Sequence, residues 1–425
     1  MLQTSKIREL SFLVYGLGIT GLSVIKFFKR NNIKNFQVWD DNQKNLFKYY
    51  KPKNLIKSLN DVDYIVLSPG ISLIKNKKLL KFKEKIITDL DLFYLSNNKL
   101  ISIVVTGTNG KSTTCKLLAH LLKTNNFKIV LGGNIGRPIL DLKYTKNCFV
   151  IIEASSFQLS HSKFICPNYA LFLNLTNDHL DWHGSMANYL NSKLKIFKLQ
   201  KKNHFAIVNK KFKNIFIKKN FSSKIVIPDF RNYKNIKFKI DNDYLTSEIN
   251  NENMSFVYTI SKLFKINKKS FINSMKSFKG LPHRFETFLK RDKTIFINDS
   301  KATSFKATQT ALSSLKNIFW ILGGLPKQGD KIKISKFKKN IIKCYLIGTN
   351  TNFFKNQIKG KITFSVTKNL KNTIFQILKD LKLKKYNTKY ILLSPAAASY
   401  DQFSNFENRG NEFKRICRKY VKKFS

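Results

Sequence analysis

Leu100-Ile-Ser-Ile-Val-Val-Thr-Gly-Thr-Asn-Gly-Lys-Ser-Thr113 is the stretch whose reading decides the fold. Five of its first six residues are apolar, and four of those are β-branched, the composition of a buried strand. Two glycines then open a tight turn, and the run Ser112 to Lys123 has helical periodicity. A strand, a glycine loop and a helix in that order form a phosphate cradle. The loop's backbone N–H groups point at oxygens and the helix N-terminus adds partial positive charge. Lys111 is placed to reach the outer phosphates and the Ser112 hydroxyl to ligate Mg²⁺. Val105 stands where the general P-loop has glycine, so the loop is a shortened GxxGKS variant.

Outward from this unit, strand and helix patterns alternate along all 425 residues, which predicts an α/β protein with mostly parallel sheets. Before it come a strand Phe12-Leu-Val-Tyr15, a helix from about Gly21 to Arg30, a strand Phe36-Gln-Val-Trp39 and a strand Asp63-Tyr-Ile-Val-Leu67. After it, strands are expected at Phe149 to Ile152, Tyr169 to Leu173 and His204 to Val208. A third series follows Gly280-Leu-Pro282, with strands at 294–297, 318–322, 344–347 and 390–393. The polar Ser96-Asn-Asn98 and the Gly280 turn divide the chain into domains 1–98, 99–280 and 281–425.

Three downstream groups suit divalent-metal work, although a carboxylate at a strand end is more often a cap or a salt-bridge partner and the lysine carries no signal by itself. Glu153 closes the apolar strand 149–152, His179 lies in Asn177-Asp-His-Leu-Asp181, and Lys193 falls on a predicted helix. Hard oxygen ligands with one imidazole suit Mg²⁺. In the first segment, Gly16-Leu-Gly-Ile-Thr-Gly21 follows a strand and Asp40 ends the next one. That is a dinucleotide-binding fingerprint, and by itself it suggests a dehydrogenase, although the same loop cradles any pyrophosphate. Ser68-Pro-Gly-Ile71 forms a second loop at the same sheet edge. In the third segment Asn298-Asp-Ser-Lys-Ala-Thr303, Gly323-Gly-Leu-Pro-Lys327 and Ser394 to Phe403 each follow a strand, at the edge where open α/β sheets bind ligands.

Composition excludes more than it identifies. Hydrophobic residues make up 43% of the chain and aromatics 13%, enough for several cores and too much for a disordered protein. The N-terminus does not read as a signal peptide, and no uninterrupted apolar run approaches the roughly 18 residues of a membrane span. The five cysteines are scattered without CxxC or zinc-finger spacing, as in a reduced cytoplasmic protein. The formal charge of +53 invites a nucleic-acid reading. The lysines are spread over the whole chain, however, and accompany excess Asn, Ile, Phe and Tyr. These residue types share A/T-rich codons, so base composition accounts for the charge and no nucleic-acid partner is expected.

In this order the motifs resemble the Mur ligase family over essentially the whole chain. More narrowly, GLGITG, SPGI, SSFQL, GLPHRFE, NDSKAT and LLSPAAASYDQF-x-NFE-x-RG are similar to the members that add D-glutamate. The resemblance implies Rossmann-like N- and C-terminal domains around a central P-loop ATPase-type domain. It implies ligation of D-glutamate to UDP-N-acetylmuramoyl-L-alanine through an acyl phosphate, by a cytoplasmic monomer making peptidoglycan precursors. Carried over by position, Gly107, Thr108, Asn109, Gly110, Lys111, Ser112, Thr113, Asn253, Arg284 and Asp299 bind ATP. Ser112, Glu153, His179 and Lys193, the last as a carbamate, are metal ligands for two expected Mg²⁺ sites, and Lys111, Glu153, His179 and Lys193 form the catalytic set. Gly18, Ile19, Thr20, Asp40, Ser68, Pro69, Gly70, Asn134 and Gln158 are expected to hold the UDP-linked substrate. Lys301, Thr303, Lys327, Ser399 and Phe406 are expected to bind D-glutamate. The chain departs from the family at Asp41-Asn-Gln43, where an arginine is usual, and at Ile249, where a histidine is usual.

Overall fold

A computed structural model describes residues 4–42, 51–97, 100–145, 147–246, 248–382 and 388–421. The chain forms two compact units, Met1–Phe278 and Lys279–Ser425. The first holds two parallel sheets. One is built from β1 (Phe12–Tyr15), β2 (Phe36–Trp39), β3 (Tyr64–Leu67) and β4 (Ile86–Ile87), in the order β2-β1-β3-β4. The other contains β5 (Ile101–Thr106), β6 (Ile129–Gly133), β7 (Phe149–Glu153), β8 (Tyr169–Phe172), β9 (Phe205–Val208) and β10 (Lys224–Val226). Their order is β10-β9-β8-β5-β7-β6, so β5 lies inside the sheet with β7 on one side and β8 on the other.

That order positions the site. The chain leaves β5 at the point where successive strands go to opposite sides, the crevice where open α/β sheets bind ligands. Val104 and Ile152 are fully buried, and one apolar core runs from Phe12 and Phe28 around the first sheet to Phe172 and Phe197 around the second. Each such side chain contributes about 1.5–3 kcal/mol on burial. The helix Asp89–Ser96 joins the sheets and buries seven of its eight residues. Asp91 at its third position closes a capping box with Thr88, which accounts for an acidic residue inside this core.

The second unit has one six-stranded sheet of β11 (Glu286–Arg291), β12 (Thr294–Asn298), β13 (Ile318–Gly323), β14 (Ile341–Ile347), β15 (Phe364–Lys368) and β16 (Lys389–Leu393). Its order is β11-β12-β16-β13-β14-β15, and only the β11–β12 pair is antiparallel. All six residues of β13 are buried, as expected for a parallel strand covered on both faces. Trp320 and Leu322 face one core, and Phe319 and Ile321 the other.

The sequence reading differs from the structure mainly at the edges. β4, β6, β10, β11 and β15 were not expected; they are short or half-exposed and lack a sustained apolar run. The first long helix begins at Ile19 rather than Gly21, because Gly18 adopts the extended N-cap conformation and Ile19 and Thr20 form its first turn. Residue 98, at the expected first boundary, and Gln43 of the Asp41-Asn-Gln43 departure lie outside the described residues. Of Ile249 only the backbone is described, within the helix Glu248–Leu263.

Candidate active site

The turn Gly107–Gly110 connects β5 to the helix Lys111–Thr124. Gly110 has φ +83°, and a Cβ there would meet the Asn253 Oδ1 at 2.1 Å. Both its backbone angle and its neighbour therefore demand glycine. Asn253 is buried on the helix Glu248–Leu263; its Oδ1 accepts from Thr114 Oγ1 at 3.3 Å and its Nδ2 donates to Asn250 Oδ1 at 3.2 Å. The expected nucleotide residue Asn253 is thus brought against the phosphate loop from far along the chain.

The first half of the loop is clamped by Asn174, just beyond β8, which sequence reasoning missed. Thr108 N donates to Asn174 O at 3.0 Å and Asn109 N to Asn174 Oδ1 at 2.9 Å. Asn174 Nδ2 returns bonds to Asn109 O and, at 2.9 Å, to Glu252 Oε2. The first-turn N–H groups of any helix have no acceptor within the helix, and here that turn is Lys111, Ser112 and Thr113. A polyanion is the natural ligand for them.

Lys111 Nζ donates to Gly107 O and Thr108 O, each at 2.9 Å. Lys193, on the helix Met186–Lys198, is 1% exposed, and its Nζ donates to the same Gly107 O at 2.8 Å. The ammonium lies over the Tyr189 ring, 4.6 Å from its centroid, while Tyr189 Oη and Thr108 Oγ1 are hydrogen-bonded at 3.1 Å. Burial, reinforced by the neighbouring Lys111 charge and opposed by Asp178, holds the Lys193 amine well below the ordinary lysine range. Burial also pushes Tyr189 up to about 12, so its hydroxyl keeps its proton.

Glu153 ends β7 opposite Val105 of β5 and is 2% exposed. Its Oε1 accepts from Asn134 Nδ2 at 2.9 Å, while Oε2 is buried with no hydrogen-bond partner among the described residues. A buried carboxylate oxygen without a partner is costly unless a cation or donor meets it. Among the described residues no group of three or more His, Cys, Asp or Glu side chains is placed to hold a metal. The donor set therefore fits Mg²⁺ that arrives with a nucleotide, taking one or two protein oxygens and completing its shell with phosphate and water. His179 has φ +54°, its Nε2 lies 3.5 Å from Asp178 Oδ2, and its ring packs edge-on to Phe157. His183, which the sequence reading passed over, is buried with Nε2 2.9 Å from Ser156 Oγ, and burial lowers it to about 4.

The residues expected to hold the UDP-linked substrate fall in two places. At the first sheet's edge, Gly16 (φ +95°) approaches Ser68 so closely that a Cβ would lie 2.7 Å from its Cβ, and Ser68 Oγ donates to Gly16 O at 2.7 Å. Gly18 and Ile19 are exposed beside them, Thr20 and Pro69 are half-buried, and Gly70 is exposed. Asp40 turns its carboxylate onto this loop, accepting from Leu17 N at 2.6 Å and Asn42 N at 2.9 Å. Asp41 accepts from Tyr15 Oη and Trp39 Nε1. At the second sheet, Asn134 is bound to Glu153, and Gln158 is committed within the fold. Its Oε1 accepts from Ser155 N and Oγ, and its Nε2 donates to both Asp89 oxygens at 3.3 and 3.2 Å. The sequence carried a signal for this, since Ser155-Ser-Phe-Gln158 is a capping box.

In the second unit, the loops after β12, β13 and β16 meet at one sheet edge. Asp299 accepts from Ser394 Oγ at 2.7 Å and Phe285 N at 3.1 Å, and burial pushes its carboxyl up to about 7. Arg284 is half-buried beside it. Lys301 Nζ lies 3.6 Å from the centroid of the Phe406 ring. Ser399 is buried, Thr303 is half-buried and Lys327 is exposed. His283, 2.9 Å from Asn298 Nδ2 through its Nδ1, fits against Gly410, where a Cβ would come within 2.2 Å of that nitrogen.

The family profile for the Mur ligase middle domain matches residues 105–276, and that for the Mur ligase MurD-like N-terminal domain matches 11–87. The chain is 35% identical to a UDP-N-acetylmuramoylalanine–D-glutamate ligase of Rickettsia bellii, over 95% of this chain and 96% of that one. It is also 35% identical to the same-named protein of Buchnera aphidicola, over 96% and 97%. In fold it is similar to a MurF ligase from Thermotoga maritima solved in complex with ADP, with a TM-score of 0.56, 16% identity and coverage of 100% and 98%. The chain belongs to the Mur ligase family, among the UDP-N-acetylmuramoylalanine–D-glutamate ligases.

Proposed function

We propose that this chain joins D-glutamate to UDP-N-acetylmuramoyl-L-alanine at the expense of ATP, a step of peptidoglycan precursor synthesis in the cytoplasm, and that it acts as a monomer. The observation that carries the reading is the meeting of Lys111 and Lys193 on the Gly107 carbonyl, just past the end of the strand next to the one that ends in Glu153. Such a centre supplies the Lys111 positive charge, a lysine amine open to modification and a metal-ready carboxylate where a phosphoryl group would lie.

In this reading the alanyl carboxylate attacks the γ-phosphorus of ATP, and the bond to the β,γ-bridging oxygen breaks to release ADP. The amine of D-glutamate then attacks the acyl carbon of the resulting acyl phosphate, the carbon–oxygen bond breaks, phosphate leaves and the amine loses a proton. Lys111 and the first-turn amides hold the phosphates and spread the charge that builds up on them. Asn134 holds Glu153 in place through Oε1 and leaves Oε2 available. Ser112, Glu153 and His179 would hold Mg²⁺, at two sites, and the metal would act as a Lewis acid on phosphate oxygens. Arg284, Asp299 and Asn253 would contact the nucleotide, while Lys301, Thr303, Lys327, Ser399 and Phe406 would receive D-glutamate. The domain division that accompanies this reading is 1–98 for the UDP-linked substrate, 99–280 for ATP and 281–425 for the amino acid.

Lys193 enters as a carbamate. A buried lysine that readily gives up its proton is a nucleophile for CO₂: its lone pair forms the N–C bond, and one N–H proton leaves to solvent. The product is an anion beside Lys111, so it replaces a repulsive pair with an attractive one and adds oxygen ligands to the site.

The test is phosphate release by the purified protein with ATP, Mg²⁺, UDP-N-acetylmuramoyl-L-alanine and a panel of amino acids. Release that requires the UDP-linked acid and is strongest with D-glutamate is expected. Equal release with every amino acid, or none with any, contradicts the reading.

A further inference from the structure

The motif Asn405-Phe-Glu-Asn-Arg-Gly410 contains a cation that the proposed chemistry leaves unused. Arg409, on the helix Phe406–Val421, is 1% exposed and makes no ion pair among the described residues. Its acceptors are neutral: Nε donates to Ser300 Oγ at 3.0 Å, and Nη2 donates to Ser300 O and Ala397 O, each at 2.9 Å. Nη1 is buried with no hydrogen-bond partner among the described residues. It sits beneath Gly324, where a Cβ would lie 3.1 Å from it.

These contacts join three loops to one guanidinium. Ser300 belongs to the loop after β12, which carries Lys301 and Thr303. Gly324 belongs to the loop after β13, which carries Lys327, and Ala397 to the loop after β16, which carries Ser399. The Asp401 carboxylate favours the charged guanidinium from a distance but makes no ion pair with it. A buried guanidinium without a paired anion costs several kcal/mol, and a protein keeps it where an anion repays that cost. Burial moves Arg409 down only to about 10, so it stays charged at neutral pH. In a low-dielectric interior its field reaches the loops with little screening.

We propose that Arg409 is a specificity-determining positioning residue: it fixes the three loops and supplies the buried positive charge that makes them select an amino acid carrying an additional carboxylate over a neutral one. This rests on the proposed function, with D-glutamate as the amino-acid substrate. Arg409 acts through the loops and its field, without a contact of its own to the substrate.

The experiment compares kcat/KM for D-glutamate and for D-glutamine, which has the same shape without the second charge, in the parent, Arg409→Gln and Arg409→Lys. In Arg409→Gln the preference for D-glutamate falls about tenfold or more, through KM for the amino acid, while KM for ATP and for the UDP-linked substrate is unchanged. A merely structural role would lower both amino acids' kcat/KM alike, and an unchanged preference in Arg409→Gln overturns the proposal. Arg409→Lys keeps the charge and keeps the preference within about threefold, even where overall turnover drops. If Arg409→Gln does not fold, the lysine variant decides: a preference that collapses there although the charge remains overturns the proposal. Absence of parent turnover on D-glutamate would remove the functional reading itself, whereas parent turnover with an unchanged preference in the variant removes only the role of Arg409.

Discussion

Lys111 and Lys193 donate hydrogen bonds to one acceptor, the Gly107 carbonyl oxygen, at 2.9 and 2.8 Å. Two ammonium groups on a single oxygen, one of them buried, repel each other in a medium that screens poorly. The conflict falls on Lys193, which is the more deeply buried and lies over the Tyr189 ring. A neutral Lys193 amine resolves it, and an amine turned into an anion resolves it more fully.

Lys193→Ala therefore removes the carbamate and with it the activity. With ¹³C-bicarbonate, NMR shows a protein carbamate in the parent near neutral pH and none in the variant. Turnover of Lys193→Ala falls at least about a hundredfold, the usual cost of removing a charge-stabilising group. Small carboxylic acids restore part of it by supplying the missing anion. A variant that works at the parent's rate in bicarbonate-free buffer contradicts the role.

Gly110→Ala strains the phosphate loop twice, through φ +83° and through the 2.1 Å approach of its Cβ to Asn253 Oδ1. The left-handed conformation alone costs a residue with a Cβ about 1–2 kcal/mol. The variant is expected to unfold at lower denaturant concentration and to show a raised KM for ATP. Adding Asn253→Ala recovers part of the stability by removing the clash and leaves ATP binding impaired. A Gly110→Ala protein as stable as the parent, with the parent's KM for ATP, would show that the loop tolerates a side chain.

Asp89 provides a pH signature. Burial raises its carboxyl from 3.8 to about 6 in the folded protein, although two bonds from Gln158 Nε2 favour the charged form. Between these values the folded chain holds a proton that the unfolded chain has released. The stability this contributes is fully present below 3.8 and is lost as pH rises through about 6. Asp89→Asn cannot titrate. The difference in unfolding free energy, parent minus variant, should fall by on the order of 2–3 kcal/mol from pH 4 to pH 7. Urea unfolding of both proteins across that range measures it, and a flat difference contradicts the burial of an ionisable group here.

The sequence made the local part of this architecture legible and left the rest to the sheet order. The run 100–113 could be read because a strand, a glycine turn and a helix follow one another without interruption; the structure shifts the strand by one residue, to Ile101–Thr106, and lengthens the helix by one at each end, to Lys111–Thr124. Glu153 could be placed at a strand end for the same reason. The Asn174 clamp could not, since it depends on β8 lying beside β5 across about 65 intervening residues. Asn134 could be noted for its position but not for its grip on Glu153, because β6 has only the three apolar residues Ile129-Val-Leu131 before Gly132-Gly133, too few to announce a strand. Asp40 and Gln158 show a further limit: each sits where a ligand contact was expected, and each also bonds within the chain, through contacts that the linear sequence does not display.

The account's central claim is that a carboxylate of the UDP-linked substrate attacks ATP at the centre formed by Lys111, Lys193 and Glu153. UDP-N-acetylmuramoyl-L-alanine labelled with ¹⁸O in its alanyl carboxylate tests it in one turnover with ATP and D-glutamate. Mass spectrometry of the released phosphate should find one ¹⁸O atom per phosphate, carried over from the acyl phosphate. Phosphate free of the label, released alongside amide product, would contradict it.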